Sequence, residues 1–398
     1  MARQSQAEEA SSVTAYRRLS CRACGCTDLD MVLDLGTQPL ANGLRTADQL
    51  RDYEIRVPLR LMRCEHCGLA QISHVVDPTI LYGPHYPYRS GMSQGWYHHC
   101  EELAAEMAFP DCLHLDIGCL DGVLLKSMES RGAVAWGCDP SAPEGMRGVY
   151  RELFGAQSRP ATEYFDIITA QNVFGHVDDA VGFMQGIAAN LAPTGTAVIE
   201  APWVVDLIDK RAWDTIYHEH LSYWGLKSLA RCANKAGLSV ARVKHFPELH
   251  GGTMRYYLGH REAVQTFDSS MCPIWWAEDD LGPEMWVQFA NEAHNAIAAW
   301  TDYFHKASAK SVMGYGAAAK FSTLLNALPE RPPLRAIFDE TPSKQGKFSP
   351  GWSIPILVPT ELALSGADEI VVGASNWKEE IERKVRALGF TGPVKAPW

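Results

Sequence analysis

The chain has 398 residues, of which 46% are hydrophobic and 21% are charged, and its formal net charge is −11. A chain of this length and composition folds into roughly two to three domains, which excludes a disordered protein and a fibre. The acidic balance and the lack of a dense Lys/Arg run exclude sequence-independent binding to nucleic acid.

No apolar run approaches the roughly 20 residues that span a bilayer, so no membrane segment is expected. The first residues, MARQSQAEEASS, lack the basic and apolar regions of a signal peptide, and residues 1–18 are predicted to be a disordered tail. We expect a cytoplasmic protein and a monomer. The 11 cysteines therefore indicate something other than disulfides.

Two C-x2-C turns, each followed by Gly, carry four of these cysteines: Cys21, Cys24, Cys64 and Cys67. Such a turn places two thiolates on one side, and two turns complete a tetrahedral zinc site. A closed site of four thiolates leaves no open position for chemistry, so the zinc is predicted to be structural. Buried thiols in a small core are the alternative.

The insertion between the two turns is long for a zinc ribbon. Its residues 33–44, LDLGTQPLANGL, are predicted to form a loop. Cys26 and His66 lie close to the paired cysteines but are not favoured as ligands.

The middle of the chain alternates apolar strands with helical stretches, which predicts a doubly wound parallel sheet. The strand that contains Asp116 runs into a turn with Gly118 and Gly122, and a helix follows. The next strand ends at Asp139, where a carboxylate accepts hydrogen bonds from ribose hydroxyls. A third strand starts at Phe165, and a fourth follows the turn APTG.

The spacing D-x-G-x-x-x-G differs from the dinucleotide fingerprint and suits the first loop of class I S-adenosylmethionine (SAM) methyltransferases. The later order of Asp139 and Asn172 strengthens this interpretation. We therefore predict that Asp116, Gly118, Gly122, Asp139 and Asn172 bind SAM. Ordinary helix–strand packing is the alternative explanation for the two glycines.

Residues 213–224, the histidine segment, hold the densest chemistry of the chain. The run Tyr217-His218-Glu219-His220 follows the fourth strand, at the edge where doubly wound sheets bind ligands. A His beside Glu and Tyr suits acid–base catalysis near neutral pH, and His220 is predicted to act so. His218 is more simply a structural residue. A catalytic metal is not favoured, since H-E-x-x-H is absent.

The last third has a long amphipathic helix over Met285–Lys310 and then a second strand–turn–helix unit. Gly316 opens the helix, which suits an anionic phosphate, and Lys320 or Lys347 adds positive charge. A following strand ends at Asp339, a candidate base or ribose contact. An ordinary βα turn is the alternative.

From about Cys21 to the C-terminus, the chain resembles the three-domain sugar C-methyltransferases. The motifs that carry the resemblance stand in order along the sequence: the two cysteine turns, LGTQPLAN, YPYRSGMS, NVFGH, DTIYHEHLSY, HGGTMR, GYGAAAK and KQGK.

The resemblance implies that His220 is the catalytic base, with Tyr217 and Glu219 as its partners. It also implies that Tyr86 or Tyr88, in the segment that continues to Ser90, lines the substrate site together with His176. The substrates of this family are nucleotide-linked deoxysugars used in antibiotic and polysaccharide biosynthesis.

The predicted fold is α/β, with a zinc-binding lobe (19–85), a class I SAM methyltransferase Rossmann-like domain (86–262) and a C-terminal Rossmann-like nucleotide-binding domain (263–398). The expected reaction is methyl transfer from SAM to C3 of a nucleotide 4-keto-6-deoxysugar, with a dTDP-type nucleotide. A different carbon acid, or a non-catalytic binding protein, remains as an alternative.

Overall fold

The computed structural model describes residues 14–82, 94–160, 164–249, 251–264, 268–269, 271–360, 366–373 and 378–396. Its strands fall into four sheets: one of two strands, one of four, one of seven and one of five. Among these residues, no helix combines the length and the apolar character that crossing a bilayer requires.

The zinc lobe, residues 14–82, consists of five strands, a 3-10 turn over Asp48–Arg51 and one four-residue helix. Its elements are β1 (Ala15–Arg17), β2 (Leu29–Pro39), β3 (Arg56–Cys64), β4 (Ala70–Ile72), β5 (His74–Val76) and α1 (Pro78–Leu81). Strands β2, β3 and β4 pair antiparallel, and Ser222–Tyr223 of the histidine segment adds a fourth strand beside β4.

The prediction of a loop over 33–44 is wrong for its first half, because residues 33–39 belong to β2. Leu33 and Leu35 alternate into the core, with 1% and 7% of their surface exposed, as a half-buried strand requires. The pairing with β3 shifts register between Asp34 and Thr37, where Gly36 takes a left-handed φ of 74°. A bulge, and not a loop, therefore accommodates the glycine.

The middle domain alternates strands and helices around the seven-stranded sheet. Its elements are α2 (Gln94–Met107), β6 (Leu113–Ile117), α3 (Val123–Glu129), β7 (Val134–Cys138), β8 (Val149–Tyr150), β9 (Phe165–Gln171), α4 (Ala180–Asn190), β10 (Leu191–Pro202), α5 (Val204–Asp209), β11 (Ser222–Tyr223), α6 (Leu226–Lys235), β12 (Leu238–Phe246) and β13 (Thr253–His260).

The strand order is β12-β13-β10-β9-β6-β7-β8. Strands β10, β9, β6, β7 and β8 are parallel, as the alternation predicts. At one edge the sheet has two further strands that the sequence did not predict, β13 and β12, which run antiparallel to their neighbours. A hairpin joins these two strands directly, so no crossover helix is needed between them.

The C-terminal domain carries two helices and then a five-stranded sheet. Its elements are α7 (Met271–Asp279), α8 (Pro283–Lys306), β14 (Val312–Tyr315), α9 (Ala319–Ala327), β15 (Leu334–Phe338), β16 (Ile356–Leu357), β17 (Glu369–Val372), α10 (Lys378–Ala387) and β18 (Val394–Lys395). All pairs in the order β16-β15-β14-β17-β18 are parallel, as in a Rossmann-like domain.

A buried ion pair joins β10 and β13, which pair antiparallel, to α2. Arg255 Nε donates to Glu200 Oε1 over 2.5 Å, and His99 Nε2 lies 2.9 Å from the second carboxylate oxygen. The side chains of Arg255 and Glu200 are 1% and 0% exposed. Despite its burial, Glu200 has a lowered pKa, because His99 and Arg255 stabilise its charge.

Replacing Arg255 by Met should destabilise β10 and β13 by about 3–5 kcal/mol, since the Glu200 carboxylate loses its buried countercharge. Native-state hydrogen exchange of the β10 and β13 amides measures this. The control is Arg242→Met, because Arg242 is 44% exposed and pairs with Glu106 at the surface; about 0–1 kcal/mol is expected there. Equal effects of both variants would contradict the prediction.

Candidate active site

A cavity of about 360 Å³ opens beside the carboxyl ends of the parallel middle strands, where doubly wound sheets bind ligands. Residues predicted from sequence for the cofactor, for catalysis and for the substrate line this same cavity: Asp116, Gly118, Asp139, Asn172, His176, Tyr217, His220 and Lys320. The positions predicted for the cofactor and for the substrate are therefore continuous.

One end of the cavity is built by the glycine loop after β6. Gly118 has a φ of 79°, and a Cβ there would lie 2.1 Å from the Val173 side chain. The Asp139 carboxylate accepts the amide protons of Leu120 (2.9 Å) and Ser141 (2.6 Å), so it fixes the loop against β7. Gly122 has a φ of 76° and caps α3, although it does not line the cavity.

Two further side chains give this end its polarity. Burial raises the pKa of Asp116 to about 7, opposed by the Thr169 hydroxyl, which donates to Asp116 over 2.7 Å. Asn172 has a left-handed φ of 55°, and its buried Nδ2 finds no acceptor within the described residues. An unused amide donor, a carboxylate and a glycine cradle fit the amino-acid and ribose parts of SAM.

The other end of the cavity holds His220 in a defined tautomer. Its Nδ1 lies 2.9 Å from the carbonyl oxygen of Thr215, which only accepts, so Nδ1 carries the proton. Nε2 is then the basic nitrogen, and the Tyr217 hydroxyl donates to it over 2.8 Å. This arrangement suits a general base, because the carbonyl also stabilises the protonated ring.

His176 packs edge-on against His220, with the ring centroids 5.0 Å apart. Burial lowers the pKa of His176 to about 4, so its ring is neutral near pH 7. The Tyr82 hydroxyl lies 2.9 Å from His176 Nδ1 and donates to the Glu219 carbonyl over 3.2 Å. Sequence reasoning missed Tyr82; its one signal is its place just before the aromatic segment that contains Tyr86.

The structure does not bring the Glu219 carboxylate to His220, although the resemblance implies that the two residues are partners. The Glu219 carboxylate accepts from Asn42 Nδ2 over 3.1 Å, and burial raises its pKa. Residues 217–220 form a turn, closed by the His220 amide, which donates to the Tyr217 carbonyl over 2.9 Å. From this turn the Glu219 side chain meets the zinc lobe and the His220 side chain meets the cavity. His218 is fully buried and its Nε2 lies 3.1 Å from the Val57 carbonyl, in keeping with a structural role.

The residues predicted for the sugar nucleotide separate into two groups. Lys320, in the first turn of α9, lines the cavity, and it opposes the burial that raises the pKa of Asp214 to about 6. Gly316, Asp339 and Lys347 do not line it. Asp339 accepts from the Ala317 amide over 2.8 Å, as Asp139 does from its own loop.

Sequence reasoning missed one cation in this second group. Lys344 Nζ donates to the Ala317 carbonyl over 2.8 Å and lies 3.4 Å from Asp339 Oδ2. Lys344 is the first lysine of the KQGK motif, three residues before Lys347, and the motif could have indicated it. The candidate substrate residues Tyr86, Tyr88 and Ser90 lie outside the described residues.

The four paired cysteines form the zinc site. Their sulfur atoms all lie within 4.8 Å of one another, and the Cys21–Cys67 and Cys24–Cys64 pairs are each 3.5 Å apart. A tetrahedral site with metal–sulfur bonds of about 2.3 Å has sulfurs about 3.8 Å apart, so the cluster fits zinc. Burial raises the pKa of Cys64 to about 12, so four thiolates need a bound cation.

Three family matches cover most of the chain. Residues 21–82 match the family described as "Putative zinc binding domain", residues 89–243 match "Methyltransferase domain" and residues 248–392 match "C-methyltransferase C-terminal domain". The chain is also 29% identical to the C-methyltransferase NovU of Streptomyces niveus, over 91% of this chain and 90% of that protein.

Other relatives share only part of the chain. A ubiquinone biosynthesis O-methyltransferase of Ralstonia nicotianae is 26% identical over 38% of this chain and 72% of its own length. Among solved structures, the Haloferax volcanii complex of the Trm112 activator with a methyltransferase gives a TM-score of 0.37 at 16% identity, over 43% of this chain and 93% of that chain. The CcbJ methyltransferase of Streptomyces caelestis gives 0.33 at 12% identity, over 44% and 98%.

Replacing Cys64 by Ser should abolish zinc binding and unfold the zinc lobe, because metal binding contributes directly to the folding of such sites. Elemental analysis of freshly purified protein measures the zinc content, with one ion per chain expected for the wild type. Cys26→Ser is the matched control, since Cys26 lies beside the cluster but outside it. Loss of zinc from the control alone would overturn the ligand assignment.

Replacing Asp139 by Ala should weaken SAM binding by about 1.5–3 kcal/mol, the value of a charge-assisted hydrogen bond. Calorimetric titration with SAM measures the loss. The control, Asp166→Asn, alters a carboxylate that accepts from the Leu113 amide over 2.9 Å at the opposite end of β6. Unchanged affinity in the Asp139 variant would refute its role.

Proposed function

We propose that the chain, which matches a methyltransferase domain and a C-methyltransferase C-terminal domain, is a SAM-dependent C-methyltransferase that methylates C3 of a nucleotide-linked 4-keto-6-deoxysugar. The observation that carries the proposal is His220, whose basic Nε2 shares one cavity with the SAM-binding residues and with Lys320. A base beside a methyl-donor site is what carbon methylation requires, because a carbon nucleophile must first be generated.

The ketone makes the neighbouring C–H acidic enough for an imidazole base. His220 Nε2 takes the C3 proton, and the Thr215 carbonyl at Nδ1 stabilises the imidazolium that results. When the substrate binds, the Tyr217 hydroxyl turns its proton from Nε2 to the developing enolate oxygen, which frees the Nε2 lone pair for the C3 proton and contributes about 3–4 kcal/mol in comparable sites. SAM, when bound, supplies the electrophilic methyl group.

The cavity walls complete the reaction environment. His176 is neutral near pH 7, so it adds a hydrogen-bonding ring and no competing cation next to His220. The interior is mostly apolar, with Trp203, Phe183 and Tyr223 among its lining residues. Excluding water in this way strengthens the electrostatic contacts to the enolate and holds the two substrates in near-attack geometry.

The nucleotide is assigned to the C-terminal domain. Lys320 lies in the first turn of α9 and reaches the cavity, where it provides charge for a diphosphate. Gly316, Asp339 and Lys347 are proposed to contact the rest of a dTDP-type nucleotide. This assignment places the sugar between the middle and C-terminal domains, in a monomeric cytoplasmic enzyme of deoxysugar biosynthesis.

Replacing His220 by Gln should lower the rate of carbanion formation by about 10²–10⁴-fold, the usual value of a general base. The measurement is deuterium incorporation next to the ketone in heavy water, with S-adenosylhomocysteine in place of SAM. A panel of nucleotide 4-keto sugars supplies the substrates, and mass spectrometry reads both exchange and, with SAM, methylation.

The matched control is His218→Gln. It removes an imidazole two residues away in the chain that does not line the cavity. It should lower the melting temperature and leave the exchange rate per folded molecule unchanged. Exchange at the wild-type rate in the His220 variant would show that another group is the base. If the wild-type enzyme methylates a non-sugar ketone and none of the nucleotide sugars, the proposed substrate is wrong.

A further inference from the structure

Arg22 lies between two cysteines of the zinc site, and its side chain is completely buried. Its Nε donates to Asp178 Oδ1 over 3.0 Å, and its Nη1 donates to the carbonyl oxygen of Leu221 over 3.2 Å. The same Nη1 lies 3.0 Å from the carbonyl of Ile72 in β4. A planar guanidinium fixes the relative positions of all groups that it binds, because its donors form a rigid fork.

These partners flank the two active-site histidines. Asp178 comes two residues after His176, and Leu221 directly follows His220. Arg22 therefore bridges the two chain segments whose histidine rings pack 5.0 Å apart at 76°.

The other side chains at Asp178 do not make this bridge. Arg18 Nη1 donates to Asp178 Oδ2 over 2.9 Å, and the Tyr16 hydroxyl donates to the same oxygen. Neither hydrogen-bonds to Leu221 within the described residues, whereas the Ile72 amide does, over 3.0 Å. Loss of Arg22 thus removes one hydrogen-bonded bridge between the segments and leaves the bridge that Tyr82 makes between His176 and the Glu219 carbonyl.

We propose that Arg22 is a positioning residue that sets the separation of the His176 and His220 segments, so that the zinc site controls the geometry of the base. The inference deepens the proposed function and rests on it for its kinetic consequence. Its structural consequence, the ordering of residues 173–178 and 217–222, holds for any substrate.

The test compares Arg22→Met with Arg18→Met, which removes an arginine from the same carboxylate without touching Leu221. In Arg22→Met, the backbone amides of residues 173–178 and 217–222 should exchange with solvent at least about tenfold faster. A chain segment held by fewer hydrogen bonds opens more often. Zinc content and affinity for S-adenosylhomocysteine should stay at wild-type values. Arg18→Met should leave exchange in 217–222 unchanged.

The kinetic readout is the deuterium incorporation assay. In Arg22→Met the kcat for deuterium incorporation should fall by about 10²-fold, while KM changes less than about threefold. A loss of this size is typical when a reacting group is misplaced by about 1 Å. Arg22→Lys keeps the positive charge but not the forked donors of the guanidinium, so its kcat should lie between those of the wild type and Arg22→Met. If Arg22→Met does not fold, Arg22→Lys carries the test, with faster exchange confined to the same two segments.

Uniform loosening of the whole zinc lobe, or wild-type exchange in both segments, would overturn the proposal. A wild-type enzyme that incorporates no deuterium from any nucleotide 4-keto sugar would instead refute the proposed function. The amide-exchange result would still decide the role of Arg22.

Discussion

The active site depends on one short backbone pairing, between β11 and β4. Ser222 and Tyr223 pair antiparallel with Gln71 and Ala70, so the histidine segment ends as the outer strand of the zinc-lobe sheet. This ladder begins two residues after His220. The position of His220, the proposed base, is therefore set by a sheet in which Cys64 ends β3 and Cys67 lies in the turn before β4. The zinc site thus supports the candidate active site without taking part in its chemistry.

The remaining domains meet the same segment from other directions. The Trp224 amide donates to Pro202 at the end of β10, over 3.3 Å, which ties the segment to the SAM-binding sheet. From the C-terminal domain, the Thr323 hydroxyl of α9 donates to the Ile216 carbonyl over 3.3 Å. Lys320 sits one turn earlier on the same helix. Three structural units thus hold one stretch of chain, which explains how their residues come to share a cavity.

Much of this could be predicted from the sequence because its signals are local. The run around Asp116 is apolar and ends in glycines, and the paired cysteines bind metal with little choice of geometry. The direction of Glu219 was not predictable in this way, since its partner Asn42 lies 177 residues away. The strand nature of β2 was hidden by Gly36 and Pro39, which suggest a turn. Strand β12 mixes exposed residues such as Lys244 with half-buried ones, and β13 is buried over Thr253–Gly259, so neither shows the clear apolar–polar alternation that predicts a strand.

The β11–β4 pairing also imposes an order on how the chain reaches its native state. Arg22 and Leu221 are 199 residues apart, so the zinc lobe leaves the ribosome long before its last strand is made. Until then β4, with the buried residues Ala70 and Ile72, is an unprotected sheet edge of the kind that pairs with other chains. Contacts of such sequence separation form slowly. The nascent lobe therefore has metal-binding cysteines before it has a finished sheet, and translation through Tyr223 is the step that removes its aggregation-prone edge.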